Sequence, residues 1–216
     1  MDRNDFSVSG RRVVVVGAAR SGIAAAELLV RRGAQVTLTD TRSTFEQASH
    51  LRQLGVELEV GGHRAATLEA ADLIVASPGV ALEQGLFDGA RAQGVEMIGE
   101  LELASRWVKG PIVAVTGTKG KSTTTTVIGR MLHAAGREVL VGGNIGIPLS
   151  AQVDDSTETT VHVVEVSSFQ LETTTTFHPW IALWLNLAAD HLDRHPSIEA
   201  YADAKARIFD EFVRRT

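Results

Sequence analysis

The 216-residue chain has no cysteine. That absence removes disulfides, zinc–thiolate sites, iron–sulfur clusters and thiol nucleophiles together, and it fits a reducing cytoplasm. A basic excess is also missing. The formal net charge is −5, whereas phosphate backbones select basic surfaces, so no nucleic-acid partner is expected. No apolar run approaches the ~20 residues that a membrane span requires. The start, Met-Asp-Arg-Asn-Asp, lacks the basic opening and apolar stretch of a secretory leader. A cytoplasmic chain that does not enter the membrane is expected. What is present is an ordinary globular balance, 44% hydrophobic and 22% charged, with 20 glycines that gather where strands end, as when backbone approaches a ligand closely.

Short β-branched runs alternate with helical patterns. Val13–Val16 is too short and too β-branched for a helix. Ile23–Arg32 is Ala- and Leu-rich and stops before Gly33, a helix-ending signal. Val36–Thr39, Val56–Val60, Leu73–Ala76 and, more weakly, Val95–Ile98 follow as strands. Near Trp107–Pro111 the pattern restarts: strand Ile112–Thr116, a glycine turn, a helix from about Lys121 to Ala135, then strands Val139–Val141, Val161–Val166 and Ile181–Leu185. Strand–helix alternation implies crossovers and mostly parallel sheets. The expected architecture is α/β: a Rossmann-like parallel-sheet domain over 1–108, then a P-loop α/β domain over 109–216.

The strongest local motif is the strand Ile112–Thr116 followed by Gly117-Thr118-Lys119-Gly120-Lys121-Ser122-Thr123 at a helix start. Glycines let successive N–H groups curl around phosphate oxygens, and a helix N-terminus adds free donors and a positive dipole end. Lys121 brings a mobile charge to the β/γ-phosphates, and the Ser122 hydroxyl suits Mg²⁺. The usual pattern puts a first glycine where Val115 stands, so this loop is the shorter Gly-x-x-Gly-Lys-Ser. The bland alternative is a tight strand–helix turn with a surface lysine. A second glycine turn, Gly17-Ala-Ala-Arg-Ser-Gly22, follows the first strand, and Asp40 ends the second. That resembles a dinucleotide fingerprint, but Ala19 occupies the middle glycine position, and a turn that binds nothing remains open. Ser77-Pro78-Gly79 ends another strand, so these turns could converge on one ligand at the C-terminal edge of a parallel sheet.

Four polar residues, Glu165, His191, His195 and Lys205, need an explanation of their own. Glu165 ends an apolar strand, where an unpaired charge is costly; a cation or a buried salt bridge would explain it. His191 and His195, four apart, could share a helix face. A zinc site is one reading of the pair, a hydrogen-bonded structural histidine another, and oxygen-rich Asp190, Asp193 and Glu165 favour Mg²⁺ over zinc. Ser197 opens a helical pattern with an apolar stripe of Ile198, Tyr201, Ile208 and Phe212. Lys205 falls in a gap of that stripe, so it should face inward with a lowered pKa, unless its stem is buried and its head snorkels to water.

Taken together, the motifs resemble those of the Mur ligases and the related folylpolyglutamate synthetases. Thr-Gly-Thr-Lys-Gly-Lys-Ser-Thr, Gly142-Gly-Asn-Ile-Gly146, Glu165-Val-Ser-Ser-Phe-Gln-Leu-Glu172, Asn186-Leu-Ala-Ala-Asp-His-Leu-Asp193 and Ala204-Lys-Ala-Arg207 follow in the family order. The Ser-Ser-Phe-Gln-Leu-Glu form resembles the D-glutamate-adding branch. The resemblance implies an ATP-dependent ligase of peptidoglycan precursors that joins D-glutamate to UDP-N-acetylmuramoyl-L-alanine through an acyl phosphate, acting as a monomer with ATP and Mg²⁺. It implies that Lys121 contacts the phosphates and that Ser122 and Glu165 hold one Mg²⁺. His191 and a carbamylated Lys205 would hold a second, with Asn144 near the substrate. It assigns the uridine nucleotide to Arg20, Ser21, Asp40, Thr41, Arg42, Ser77, Pro78 and Gly79. It also implies that the central domain is incomplete here and the amino-acid-binding domain absent, which would leave apolar surface exposed and this chain inactive alone. Two rivals stand beside it: a nucleotide-binding module without catalysis, and an NAD-dependent oxidoreductase suggested by the first glycine turn alone.

Overall fold

The computed structural model describes residues 6–82 and 85–210. Phe212, the last member of the expected apolar stripe, lies outside them. The chain divides into two compact units, Met1–Leu103 and Ala104–Thr216. The division falls a few residues before the 108/109 boundary read from the sequence.

In the first unit, strands β1 (Arg12–Val16), β2 (Gln35–Asp40), β3 (Glu57–Val60), β4 (Leu73–Ala76) and β5 (Glu96–Gly99) form one sheet in the order β3-β2-β1-β4-β5. All its pairings are parallel, with Val14 opposite Thr37 on one side and Ile74 on the other. The valines of β1 are buried because a central parallel strand is covered on both faces, which is why the run is continuous instead of alternating. Helix α1 (Arg20–Arg31) buries Ala24, Ala25, Ala26, Leu28 and Leu29; each fully buried leucine contributes about 1.5–3 kcal/mol. A cluster of Val14, Val16, Leu68, Ile74, Phe87 and Ala90 forms part of the core. Helices α2 (Ala48–Gln53), α3 (Ala65–Glu69), α4 (Asp88–Ala92) and α5 (Glu100–Ser105) complete the element order of this half. The chain runs outward from β1 to β3 and returns with β4 on the other side of β1. The order therefore reverses between β1 and β4, the place where open α/β sheets hold their ligands.

The second unit has strands β6 (Ile112–Thr116), β7 (Val139–Gly143), β8 (Val161–Glu165) and β9 (Ile181–Trp184), all parallel, in the order β7-β8-β6-β9. Helix α6 (Lys121–Ala134) follows the P-loop, α7 (Ser168–Leu171) follows β8, and α8 (Ile198–Ala206) comes last. Val113, Val161 and Val163 form a core against Ile128, Leu132, Val141 and Leu183. Among the described residues, seven of the eight exposed large apolar side chains belong to this unit, Met131, Trp180 and Ile181 among them.

A buried network not anticipated from the sequence surrounds His162, which is fully buried on β8. Its Nε2 lies 2.8 Å from Ser156 Oγ and its Nδ1 3.3 Å from Gln152 Oε1. Gln152 Oε1 can only accept, so Nδ1 carries the proton and Nε2 accepts from the serine hydroxyl. Ser156 Oγ in turn accepts from Lys109 N at 3.0 Å and Gly110 N at 3.4 Å. The neutral tautomer is thus built in, and burial pushes the pKa of His162 from 6.5 down to about 4. The unfolded chain binds a proton between those values and the folded one does not. The contribution is therefore complete above pH 6.5 and is lost as pH falls toward 4, amounting to about 3 kcal/mol. Calorimetry from pH 7.5 to 4.5 should show the second unit losing stability through this window, and His162→Gln should flatten the slope. An unchanged slope would mean that the pH dependence lies elsewhere. Asp40 titrates in a separate, more acidic window, since its pKa is lowered to about 2.

Candidate functional site

In the first unit the three predicted turns meet at the C-terminal ends of β1, β2 and β4. Asp40, 6% exposed, ends β2. Its Oδ2 accepts from Ala18 N at 2.6 Å, and its Oδ1 accepts from Arg42 N at 2.8 Å. The Arg42 guanidinium lies along both oxygens, Nε to Oδ1 at 2.9 Å and Nη2 to Oδ2 at 3.0 Å, and Nη2 also reaches Ala18 O at 2.8 Å. These bonds, the Arg42 side chain foremost, hold the carboxyl of Asp40 near a pKa of 2. From β4, Ser77 Oγ donates to Gly17 O at 2.9 Å. Asp40 and Ser77 are buried, and Arg20, Thr41, Arg42 and Gly79 form an exposed rim, with Ser21 and Pro78 half-buried.

Two expectations change in detail. A dinucleotide-type acidic residue must offer its oxygens to a ribose, but those of Asp40 are committed to Ala18 and Arg42. This weighs against the oxidoreductase alternative. Ala19 was expected to crowd the turn. It is exposed, with an extended backbone (φ −80°, ψ 174°), and caps α1 from outside.

In the second unit, Gly120 (φ +83°) turns the chain into α6 in a left-handed conformation that glycine adopts without strain. The N–H groups of Lys121, Ser122 and Thr123 precede the first intrahelical bond, Thr124 N to Gly120 O at 2.9 Å, and belong to the donors that a helix start leaves free. Lys121 Nζ donates to Thr118 O at 3.1 Å. Ser122 Oγ donates to Glu165 Oε2 at 2.6 Å, and Asn144 Nδ2 donates to Glu165 Oε1 at 2.8 Å. The Asn144 loop comes this close because Gly143 (φ +97°) has no side chain; a Cβ there would collide with Glu165 O and Val164. Glu165 is 2% exposed, and among the described residues no lysine or arginine pairs with it. The buried-salt-bridge alternative fails on that ground. A desolvated carboxylate beside a serine hydroxyl supplies two hard-oxygen donors of the kind that suit Mg²⁺.

Lys205 is 1% exposed, faces inward over the Tyr201 ring (4.3 Å to its centre) and donates to Gly117 O at 3.0 Å. Burial and the nearby Lys121 charge lower its pKa to about 8, against the opposing pull of Asp190. The snorkelling alternative does not fit a side chain this enclosed.

The helix face expected for His191 and His195 does not exist. The two lie in a turn in which His195 N bonds His191 O at 2.9 Å, and His191 is the one described non-glycine residue with positive φ, +55°. Both rings nevertheless pack against Phe169 and Tyr201, one from the surface and one from inside. His191 is exposed, its ring edge-on to Phe169 at 5.1 Å. His195 is buried, 2.9 Å from Ser168 Oγ and 3.3 Å from Glu172 Oε1, and stacks on Phe169. Among the described residues, no group of three or more His, Cys, Asp or Glu is placed to hold a metal ion. Strain at His191 is of the kind that functional sites retain.

Asn186 enters the sequence analysis only as the first residue of the Asn186–Asp193 motif, with no role of its own. Its Oδ1 accepts from Lys119 N at 3.0 Å and Thr118 N at 3.2 Å, and its Nδ2 donates to Lys119 O at 3.0 Å. Thr118, 5% exposed, also bonds Ala188 through its hydroxyl, accepting from Ala188 N at 3.1 Å. A lone asparagine after a strand carries no spacing signal.

Comparison with known proteins places both halves. Residues 11–99 match the family described as Mur ligase MurD-like, N-terminal domain, and residues 115–215 match the Mur ligase middle domain. Curated relatives named UDP-N-acetylmuramoylalanine–D-glutamate ligase include one from Acidobacterium capsulatum, 50% identical over 94% of this chain and 45% of its own length. Another, from Desulfosudis oleivorans, is 49% identical over 93% of this chain and 44% of its own length. The chain thus spans about 45% of the length of these relatives. Among solved structures, the UDP-N-acetylmuramate:L-alanyl-gamma-D-glutamyl-meso-diaminopimelate ligase from Neisseria meningitides superposes with a TM-score of 0.61, at 20% identity over 94% of this chain and 68% of that one. The UDP-N-acetylmuramate-alanine ligase from Thermotoga maritima gives 0.57, at 23% identity over 93% and 47%. At these identities the likeness concerns the fold.

Proposed function

The chain belongs to the Mur ligase family, with a MurD-like N-terminal domain followed by a middle domain, and from that premise we propose that it supplies the nucleotide-handling part of an ATP-dependent ligase that adds D-glutamate to UDP-N-acetylmuramoyl-L-alanine. The observation that carries this reading is the buried Glu165 carboxylate, bonded by Ser122 at the start of the helix that follows the P-loop and by Asn144, with no cationic partner among the described residues.

In this reading Lys121 and the N–H groups at the start of α6 bind the ATP phosphates, and Lys121 neutralises charge that grows as the γ-phosphoryl group moves to the substrate carboxylate. Ser122 and Glu165 hold Mg²⁺, which offsets phosphate charge when bound. The incoming amine of D-glutamate attacks the acyl phosphate, and phosphate leaves. The chain's own residues contribute orientation and charge, and their rigidity comes from the strands beneath them.

Lys205 has a second role in this proposal. Its lowered pKa supplies neutral amine near physiological pH, and the amine adds CO₂ to give a carbamate and a proton. The carbamate joins His191 as an anionic ligand for a second Mg²⁺. Protein equilibrated with ¹³C-labelled bicarbonate is expected to show a carbamate resonance that Lys205→Met lacks. The same spectrum from both proteins would remove this role from Lys205.

For the first unit the proposal assigns the β1/β4 crevice to the uridine nucleotide. The Arg42 fork, fixed by Asp40, presents its remaining edge to the diphosphate or uracil. Thermal-shift measurements with UDP-N-acetylmuramoyl-L-alanine, MgATP and NAD should show stabilisation by the first two only. Arg42→Ala should weaken the nucleotide sugar about tenfold and leave MgATP alone. Stabilisation by NAD in place of the nucleotide sugar would favour the oxidoreductase.

A further inference from the structure

The phosphate loop of this chain is short, and its shortness poses a problem that the structure solves from outside the loop. A glycine at the position of Val115 would extend the loop backward by several residues, but Val115 is fully buried in β6. Only Gly117 to Gly120 lie between the end of β6 and the start of α6. Such a segment has too few residues to satisfy its own backbone polar groups, and those groups need partners.

The partner arrives by strand register. Strand β9 pairs with β6 so that Trp184 stands opposite Thr116. Two residues further on, Asn186 comes level with Thr118, and the pairing continues past the strands: Leu185 N bonds Thr116 O at 3.0 Å and Thr118 N bonds Asn186 O at 3.2 Å. The Asn186 side chain then meets the Lys119 peptide in a reciprocal pair, accepting from its N–H at 3.0 Å and donating to its carbonyl at 3.0 Å. The same Oδ1 also accepts from Thr118 N. Asn186 is itself held, since the Trp184 indole donates to its backbone carbonyl at 2.9 Å.

Two consequences follow. The Thr118 and Lys119 N–H groups point at Asn186, and so do not offer themselves to a phosphate. The donors left to an anion are those at the start of α6. We propose that Asn186 is a positioning residue of the phosphate site: its side-chain amide fixes the Thr118–Lys119 segment from outside, so that the cradle consists of the N–H groups of Gly120 to Thr123 with the Lys121 side chain. The proposal rests on the reading of this loop as a phosphate site. Glutamine is too long for the reciprocal pair and aspartate lacks its donor, so asparagine is the side chain that fits.

The test combines amide exchange, followed by NMR in the ligand-free chain, with MgATP affinity. The wild-type Thr118 and Lys119 amides are expected to be protected without nucleotide. Asn186→Leu should speed exchange of the Lys119 amide at least about tenfold, with a smaller effect at Thr118, whose N–H keeps the backbone carbonyl of residue 186, and weaken MgATP binding by about ten- to a hundredfold, with the Val113–Val115 amides unchanged as the control for folding. Asn186→Asp keeps the acceptor and should restore the protection of Lys119. A leucine variant that loses MgATP affinity with the Lys119 amide still protected would mean that Asn186 touches the nucleotide instead, and would overturn the proposal. So would loss of protection in the aspartate variant equal to that in the leucine variant. Should the leucine variant unfold the unit, the wild type decides, because unprotected Thr118 and Lys119 amides contradict the clamp outright. Protected amides in a wild-type chain that binds no MgATP would instead retire the phosphate-site reading, and the proposed role with it.

Discussion

Lys121→Ala is expected to lower the affinity of this chain for MgATP by about a hundredfold or more and to leave its melting temperature almost unchanged. The two halves of that expectation have separate causes. The Lys121 side chain is half-buried and its ammonium reaches a single protein atom, Thr118 O. Its removal opens no cavity in the Val113–Val161–Val163 core. What it removes is a positive charge at the mouth of a helix start, where a triphosphate concentrates negative charge. Calorimetric titration checks the affinity and a circular-dichroism melt checks the fold. A variant with wild-type affinity would show that the loop is a tight turn bearing a surface lysine. Lost binding accompanied by a collapsed melt would show a structural role.

Glu165→Gln should have the opposite pair of effects on stability and Mg²⁺ dependence. The carboxylate is buried at the end of β8 with only Ser122 Oγ and Asn144 Nδ2 as side-chain partners. A buried charge with neutral partners costs stability, so the neutral isostere should melt at an equal or higher temperature. The cation, by contrast, loses its anionic ligand. The enhancement of ATP binding by Mg²⁺ should therefore fall by about tenfold or more. A stabilised variant that has lost its Mg²⁺ response identifies Glu165 as kept for function. A variant that is destabilised and still responds to Mg²⁺ would identify it as a structural hydrogen-bond acceptor.

How far the sequence disclosed these sites depended on whether a signal was local. The central strands follow from runs such as Val13–Val16 and Ile112–Thr116, because burial on both faces of a parallel sheet leaves a continuous apolar imprint. The P-loop was legible for the same reason, since strand, glycines, lysine and helix are consecutive. Helix α1 starts at Arg20, earlier than Ile23, because its first turn carries the polar, outward-facing Arg20 and Ser21 and shows no apolar periodicity. His191 and His195 misled because a spacing of four suggests a helix, and a positive φ at His191 is invisible in a sequence. In the sequence Asn186 carries no signal beyond opening the Asn186–Asp193 motif, and His162 carries none. Each is a single polar residue whose work is defined by neighbours distant in the chain: Lys119 for one, Ser156 and Gln152 for the other. The inward face and lowered pKa of Lys205 were legible because an apolar stripe with one gap fixes which way the gap residue faces, and burial, helped by the Lys121 charge, then lowers its pKa.

The central claim is that one chain carries two nucleotide sites of different kinds, one in each unit. Calorimetric titration of the unmodified chain with UDP-N-acetylmuramoyl-L-alanine, and separately with MgATP, tests it most directly. One equivalent of each ligand is expected, the first weakened about tenfold in Arg42→Ala and the second about a hundredfold or more in Lys121→Ala, with neither variant affecting the other ligand. A folded chain that takes up neither ligand, or that takes up NAD in the first unit, would contradict it.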